Sequence, residues 1–380
     1  MRPEDRLVRR VPKWRLVVSF TVAVLFGTAF LVNAAPAAAA NNPCGPPVTS
    51  VIACENTQQG DPPSDWQVSG AGDATIQGFA TSMSVNVGQT ESFKINTPST
   101  NYHIDILRLG YYQGNGARIV AKGLVPSVHL PQTQPNCMND TNPTGLVDCG
   151  NWAVSASWTV PSNAVSGLYI AHLKRDDVSS GNGSLIPFVV RNDASRSDIL
   201  FQTDDETWQA YNTWPATAQD DNSLYNCKLN CPPGNAEAYK GAAKVSYNRP
   251  WHSGADDNGA SWFMYAEYPM IRFLEANGYD VSYTSGVDAS QPGYASIIEQ
   301  HKIYMDAGHD EYWSGQQRAN VTAARDAGVN LAFFSGNEIF WKTRFESSID
   351  GSNTANRTLV SYKETHYDTP VDPQDPSTWT

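Results

Sequence analysis

Lys302-Ile303-Tyr304-Met305-Asp306 is followed at once by Gly308-His309-Asp310-Glu311-Tyr312-Trp313-Ser314. A helical pattern then runs from Ser314 to Asp326 and stops at Gly328. A second apolar run, Val329 to Phe334, ends in Ser335-Gly336-Asn337-Glu338. This order of strand, polar cluster, helix, strand, polar cluster decides the fold class. It predicts two parallel strands joined by a helix. In an open α/β sheet, ligands bind beyond the carboxyl ends of the strands. His309, Glu311, Asn337 and Glu338 are therefore expected along one rim.

The upstream residues extend the pattern. Asp198 to Gln202 predicts a strand, with a polar and aromatic stretch over 203–212, and Ala243 to Tyr247 predicts another. Ser261 to Ala276 carries Phe263, Met264, Ile271 and Leu274 at helical spacing. Pro269 is expected to kink or split that helix, and Gly278 to end it. Tyr279 to Tyr283 predicts the next strand, and a short helix near 294–300 leads into Lys302. Alternating strands and helices predict a mostly parallel sheet covered on both faces, with right-handed crossovers. The tail from Asp368 onward is rich in proline and polar residues and offers the sheet no closing element. The α/β domain, 196–380, is accordingly expected to be incomplete.

Between Trp66 and Arg191 the hydrophobic period is two. Ser82 to Val87, Tyr102 to Leu109, Trp152 to Val160, Gly167 to Leu173 and Ile186 to Val190 alternate, with turn residues between them. Short strands at this spacing predict a β-sandwich over 66–192, for which a structural role and a surface- or sugar-binding role are equally compatible. Residues 192–197 read as a linker and 41–65 as a Cys- and Pro-rich lead-in. Residues 1–40 read as a signal peptide, or else an N-terminal membrane anchor. Six basic side chains precede an apolar run from Leu16 to Val32, and Ala38-Ala39-Ala40 offers a cleavage site. Arg9-Arg10 is a weak twin-arginine signal.

The chain carries a formal charge of −12, and −16 without its first forty residues, which hold six basic and two acidic side chains. Phosphates need Lys and Arg, so a nucleic-acid partner is not expected. A membrane is expected to be met only through the N-terminal segment if that is retained, and a homo-oligomer is compatible with the sequence. All six cysteines lie beyond residue 40. In an exported protein that predicts disulfides, most simply Cys44–Cys54, Cys137–Cys149 and Cys227–Cys231. Cys227 and Cys231 are also at a spacing a metal could use, but no second Cys/His pair supports this.

In His309-Asp310-Glu311, positions i and i+2 of an extended loop face the same way. An imidazole and a carboxylate so placed are metal ligands or an acid–base pair. The plainer alternative is that Asp310 or Ser314 caps the next helix and His309 is a satisfied polar residue. Ser246-Tyr247-Asn248-Arg249-Pro250-Trp251-His252 and Trp208-Gln209-Ala210-Tyr211-Asn212 have the mixed polar and aromatic character of pocket linings, or of loops covering a core edge. Gly336 is expected to allow a tight strand-to-helix turn. Glu338 would then lie in a first helical turn, where a carboxylate is favoured without any function. P-loop, dinucleotide and nucleophile-elbow motifs are absent from the sequence.

Tyr211-Asn212, Ser246-Tyr247-Asn248-Arg249-Pro250, Gly308 to Ser314 and Ser335-Gly336-Asn337-Glu338 together resemble the C-terminal catalytic domain of the N,N-dimethylformamidase large (β) subunit. The resemblance covers about 196–365, and His309-Asp310-Glu311-Tyr312-Trp313-Ser314 is its most specific part. It implies a glutamine-amidotransferase-like α/β fold holding one ferric ion between two tyrosines and a glutamate. By resemblance, Glu311 is the carboxylate ligand, Tyr247 and Tyr211 the phenolates, and His309 the acid–base neighbour. Asn337 and Glu338 complete the catalytic rim. Tyr225, Tyr239 and Tyr265 compete with Tyr211 for its role. Three anionic oxygens match Fe(III) in charge and hardness and leave positions open for chemistry.

Family enzymes use a further acidic residue well downstream, and a small partner subunit in the cytoplasm. The sequence here ends before such a residue and looks exported. A small-molecule amide, or a larger amide on a cell-wall or glycan component, is therefore the expected substrate. The rival expectations are a non-catalytic secreted surface- or carbohydrate-binding protein on the same fold, and a hydrolase using another metal such as zinc.

Overall fold

The computed structural model describes residues 42–69, 72–140, 144–179, 183–215, 223–225, 241–252, 262–363 and 371–377. The leader read over 1–40 and the pair Cys227–Cys231 lie outside them. Cys44–Cys54 and Cys137–Cys149 are disulfide-bonded.

The period-two stretch forms two sheets. One joins Gln77–Ala80, Thr90–Asn96 and Ala156–Thr159. The other orders Ser84–Asn86, Ser184–Arg191, Gly167–Arg175, Tyr102–Leu109 and Ala117–Leu124. Phe93, Ile95 and Trp158 of the first meet Ile104, Ile106, Tyr169 and Phe188 of the second in a shared buried core. Thr90–Asn96 alternates strictly between buried and more exposed residues, as a strand with one solvated face should. Gly167–Arg175 and Ser184–Arg191 are buried on both faces. Their second face carries Leu168, Ile170 and Val189 into a core shared with Ile199, Phe201, Ile271 and Val281. The expected strand from Trp152 begins only at Ala156, because the Trp152 amide closes a turn on the carbonyl of disulfide-bonded Cys149.

That second core lies under a four-stranded, wholly parallel sheet ordered Val281–Ser285, Ile199–Thr203, Ile303–Gly308, Asn330–Ser335. The helix Gly315–Asp326 links the last two strands, and Ser314 caps it by accepting the Gln317 amide at 3.0 Å. The helix expected from Ser261 starts at Glu267 instead. Pro269 falls in its first turn, where no amide hydrogen is needed, so it neither kinks nor splits the helix. Gly278 follows the helix with φ +70°, the conformation that ends helices most cheaply at glycine.

Three further expectations are corrected. The sheet is not covered on both faces at its edge: Asn330–Ser335 has no fully buried residue, and Phe333 and Phe334 are exposed. Nor does a helix follow Gly336. The chain turns through Asn337 and Ile339, both at positive φ, into the strand Trp341–Glu346. This strand belongs to a second four-stranded sheet, ordered Lys244–Ser246, Thr358–Val360, Trp341–Glu346, Tyr312–Ser314. The strand read near Ala243 therefore pairs antiparallel in this sheet and takes no part in the parallel one. Among the described residues no helix is long and apolar enough to cross a membrane.

Candidate active site

The strands Ile199–Thr203, Ile303–Gly308 and Asn330–Ser335 are neighbours, so the turns that follow them meet at one edge. Gly308 ends the central strand at φ +135°. A Cβ there would lie 2.6 Å from Asp204 Oδ2, so only glycine lets the turn close on Asp204. Asp204 accepts the His309 amide at 2.9 Å, and Thr207 Oγ1 accepts the Glu311 amide at 3.1 Å. The outer side of the turn is pinned by the Ile339 amide on the Asp310 carbonyl (3.0 Å) and the Trp341 amide on the Glu311 carbonyl (2.8 Å).

This frame points His309 and Glu311 to one side and Asp310 to the other. The Glu311 carboxylate is almost fully buried. Its Oε1 accepts the Trp341 indole N–H at 3.0 Å. Its Oε2 accepts the hydroxyls of Tyr211 (3.0 Å) and Tyr225 (2.6 Å) and lies 3.5 Å from His309 Nε2. Asn337 Nδ2 is 3.0 Å from the same imidazole nitrogen. Tyr211, Glu311, His309 and Asn337 thus form one continuous polar chain. The Tyr211 and Tyr225 rings stack with centroids 3.9 Å apart. The Tyr225 hydroxyl also meets that of Tyr312, and Lys363 Nζ lies 3.2 Å from the Tyr225 ring centroid and donates to Tyr312 at 3.0 Å. Burial, reinforced by Tyr312 and Glu311, pushes the Tyr225 hydroxyl far above its ordinary range. Ionising it near neutrality would take a metal ion bound at the hydroxyl oxygen itself.

Two residues expected in this group lie elsewhere. Tyr247 is fully buried and donates its hydroxyl to Asp205 Oδ2 at 3.1 Å, with Arg357 over its ring. The hydroxyls on Glu311 come from Tyr211 and from Tyr225, one of the tyrosines the sequence left open. Glu338 turns away from His309 and joins Asp306 and Asp310, one carboxylate oxygen of each lying within 4.8 Å of the others. Burial and mutual repulsion push Asp306 and Asp310 well above the usual carboxylate range, and burial raises Glu338. The stretch from Ser335 to Trp341 was read as completing the rim, and Trp341 does reach Glu311, whereas Lys363 carried no sequence signal because the second sheet that brings it in was not legible. A cavity of about 590 Å³ opens among Asn96, Gln134, Trp152 and Trp214, and no rim residue lines it. The converging donors lie at Glu311 and not in that cavity.

A family profile described as N,N-dimethylformamidase beta subunit-like, C-terminal, matches residues 103–380. No curated protein matches. Among solved structures, a family 123 glycoside hydrolase from Clostridium perfringens aligns at 12% identity over 34% of this chain and 27% of that one, with a TM-score of 0.14. The family match begins within the strand Tyr102–Leu109 and takes in the parallel sheet, the rim turns and Lys363. With well over half of its length matched, the chain belongs to the N,N-dimethylformamidase beta subunit-like, C-terminal family.

Proposed function

We propose that this protein is an exported, iron-dependent amidohydrolase that cleaves the C–N bond of a non-peptide amide. The family suggests amidohydrolase chemistry. The convergence of Tyr211 and Tyr225 on one oxygen of buried Glu311 carries the assignment of the site. The parallel sheet order supports a glutamine-amidotransferase-like reading of the α/β part, and the two disulfides are compatible with an oxidising compartment.

The donor set fits a ferric ion. Glu311 Oε2 and the two phenol oxygens are hard donors, both phenols already bonding Oε2, and their three negative charges balance Fe(III) once both phenols ionise. Tyr211, Tyr225 and Glu311 would hold the metal. Bound there, it would supply a Lewis acid for an amide carbonyl and acidify a water. The chain's own residues do the rest. Trp341 fixes the unused oxygen of Glu311, which sets the direction of Oε2. His309 Nε2 faces the same space and can take a proton from water and hand it to the departing amine. Asn337 is placed to orient that imidazole or the substrate carbonyl. Glu338 is not given a catalytic role, because it sits in the other carboxylate group.

The test is iron content with a visible spectrum of the exported form. About one iron per chain and a tyrosinate charge-transfer band are expected, both lost in Glu311→Gln. A colourless protein that binds zinc would instead favour a different metal. One that binds no metal at this cluster would favour a non-catalytic binding protein.

A further inference from the structure

Beneath the rim lies a second group of ligands that the proposed chemistry does not use. Asp306 belongs to the strand Ile303–Gly308, Asp310 to the turn after it, and Glu338 to the turn after the neighbouring strand. One oxygen from each falls within 4.8 Å of the other two. Gln202 donates to Asp310 Oδ2 at 2.6 Å. Trp313 and Ser335 reach Asp310 and Glu338 respectively, whereas both oxygens of Asp306 meet no donor, and among the described residues no lysine or arginine pairs with any of the three carboxylates.

An acidic group alone says little, since carboxylates often gather without an ion. Here a further observation points to a ligand. Asp306 is fully buried, and neither of its oxygens meets a donor; they face the carboxylates of Asp310 and Glu338. Glu206, on the helix Asp205–Tyr211, is also fully buried with no side-chain donor and feels the charge of Asp310. A buried carboxylate without donors costs several kcal/mol unless something positive neutralises it. Protons shared among the three acids are one answer and a cation is the other. The geometry fits a cation. Ca²⁺ takes oxygen ligands at about 2.3–2.6 Å, so oxygens up to 4.8 Å apart span its coordination sphere without rearrangement. All the donors are hard oxygens. Glu338 is only partly buried as a residue, although both its carboxylate oxygens are covered.

We propose that Asp306, Asp310 and Glu338 bind a hard divalent cation of the calcium class, distinct from the metal held by Tyr211, Tyr225 and Glu311. Its role is to tie the turn carrying His309 and Glu311 to the turn carrying Asn337. The inference stands whether or not the iron reading holds.

Terbium serves as the probe, because the buried Trp313 lies close enough to Asp310 to act on it and can sensitise a nearby lanthanide. The full chain, stripped with chelator, is titrated with Tb³⁺ under tryptophan excitation and then with Ca²⁺. Saturable emission displaced by Ca²⁺ is expected, with a rise in melting temperature on adding Ca²⁺ alone. In Asp306→Asn and in Glu338→Gln the affinity should fall at least about tenfold. Glu338→Gln is the milder change and guards against loss of folding at the buried position. Glu311→Gln should abolish the iron band and keep the Ca²⁺ response, which separates the two sites. Wild-type protein without a Ca²⁺ response, or a response surviving both the Asp306 and Glu338 substitutions, overturns the proposal and leaves shared protons as the neutralising species.

Discussion

Exchanging one tyrosine at a time separates the ligand set implied by the resemblance from the one the geometry favours. Tyr247→Phe removes a hydroxyl whose partner is Asp205 Oδ2 at 3.1 Å. Asp205 keeps the Gly286 amide (2.6 Å) and the Thr203 hydroxyl (2.9 Å), but both sit on Oδ1, so Oδ2 loses its donor. A buried acceptor left without its donor costs about 1–3 kcal/mol. The ring and its contacts with Phe345 and Arg357 remain, so no cavity term is added. Tyr247→Phe should therefore melt roughly 2–6 °C lower and keep its iron and colour. Tyr225→Phe does the reverse. It removes one of three anionic oxygens, and since losing even an outer-shell partner weakens a metal site by about 10–100-fold, iron affinity should fall by at least about 100-fold. Thermal melts, iron content and the visible band of both variants, with Tyr211→Phe as a parallel, make the assay. Iron retained in Tyr225→Phe and lost in Tyr247→Phe refutes the reasoning and restores the ligand pair implied by the resemblance.

Three other outcomes are expected. Glu91 is buried with one oxygen lacking any donor, and burial raises its carboxyl to about 7. The folded state therefore holds a proton that the unfolded state releases near 4.5, and stability falls as pH rises from about 4.5 through 7. Glu91→Gln, which mimics the protonated acid, should be more stable than wild type by up to about 3 kcal/mol at pH 8, with the gap closing towards pH 4.5 in urea titrations; an unchanged gap would remove Glu91 as its cause. Arg108 and Glu275 form a fully buried pair at 2.6 and 2.9 Å that joins the five-stranded sheet to the helix Glu267–Ala276. Glu275→Gln strands the Arg108 charge and should cost about 3–5 kcal/mol by denaturant unfolding, whereas a loss below 1 kcal/mol would show that the arginine finds another partner. His309→Gln should keep the visible band while amine release from an amide panel falls by about 10²–10⁴-fold, and a lost band would make His309 a ligand instead of a proton carrier.

The parts of the fold that were legible are those where local pattern and tertiary partner agree. Tyr102–Leu109 alternates and pairs with two neighbours, and the strand and helix pattern from Lys302 to Phe334 gives the central parallel strands within one or two residues. Pro269 misled because its effect depends on where the helix begins, which rests on contacts of residues 262–266 and not on propensity. The second four-stranded sheet was invisible for a different reason. Its strands Lys244–Ser246, Tyr312–Ser314 and Thr358–Val360 have three residues each and are too short to show a period.

The same physics explains which part of the rim could be read. His309 and Glu311 share one extended turn, so their common direction follows from backbone geometry alone, and the structure joins them through 3.5 Å. Asp310 faces inward by the same alternation. That inward direction, and not a vacant first helical turn, is what gathers Glu338: the chain bends at Asn337 and Ile339 to start the strand Trp341–Glu346, and the bend carries Glu338 onto Asp306 and Asp310. The tyrosines obey no such local rule. Tyr211 ends a helix, Tyr225 and Tyr247 lie in or beside loops, and each hydroxyl is assigned only by which carboxylate the tertiary fold brings to it, Glu311 for two of them and Asp205 for the third. A glutamate fixed by its own turn and phenols delivered by distant segments need the whole fold to meet. Metal binding at Glu311 should therefore depend on the packing of those segments as well as on the ligands, so that iron loss and local unfolding around residue 225 occur together in denaturant.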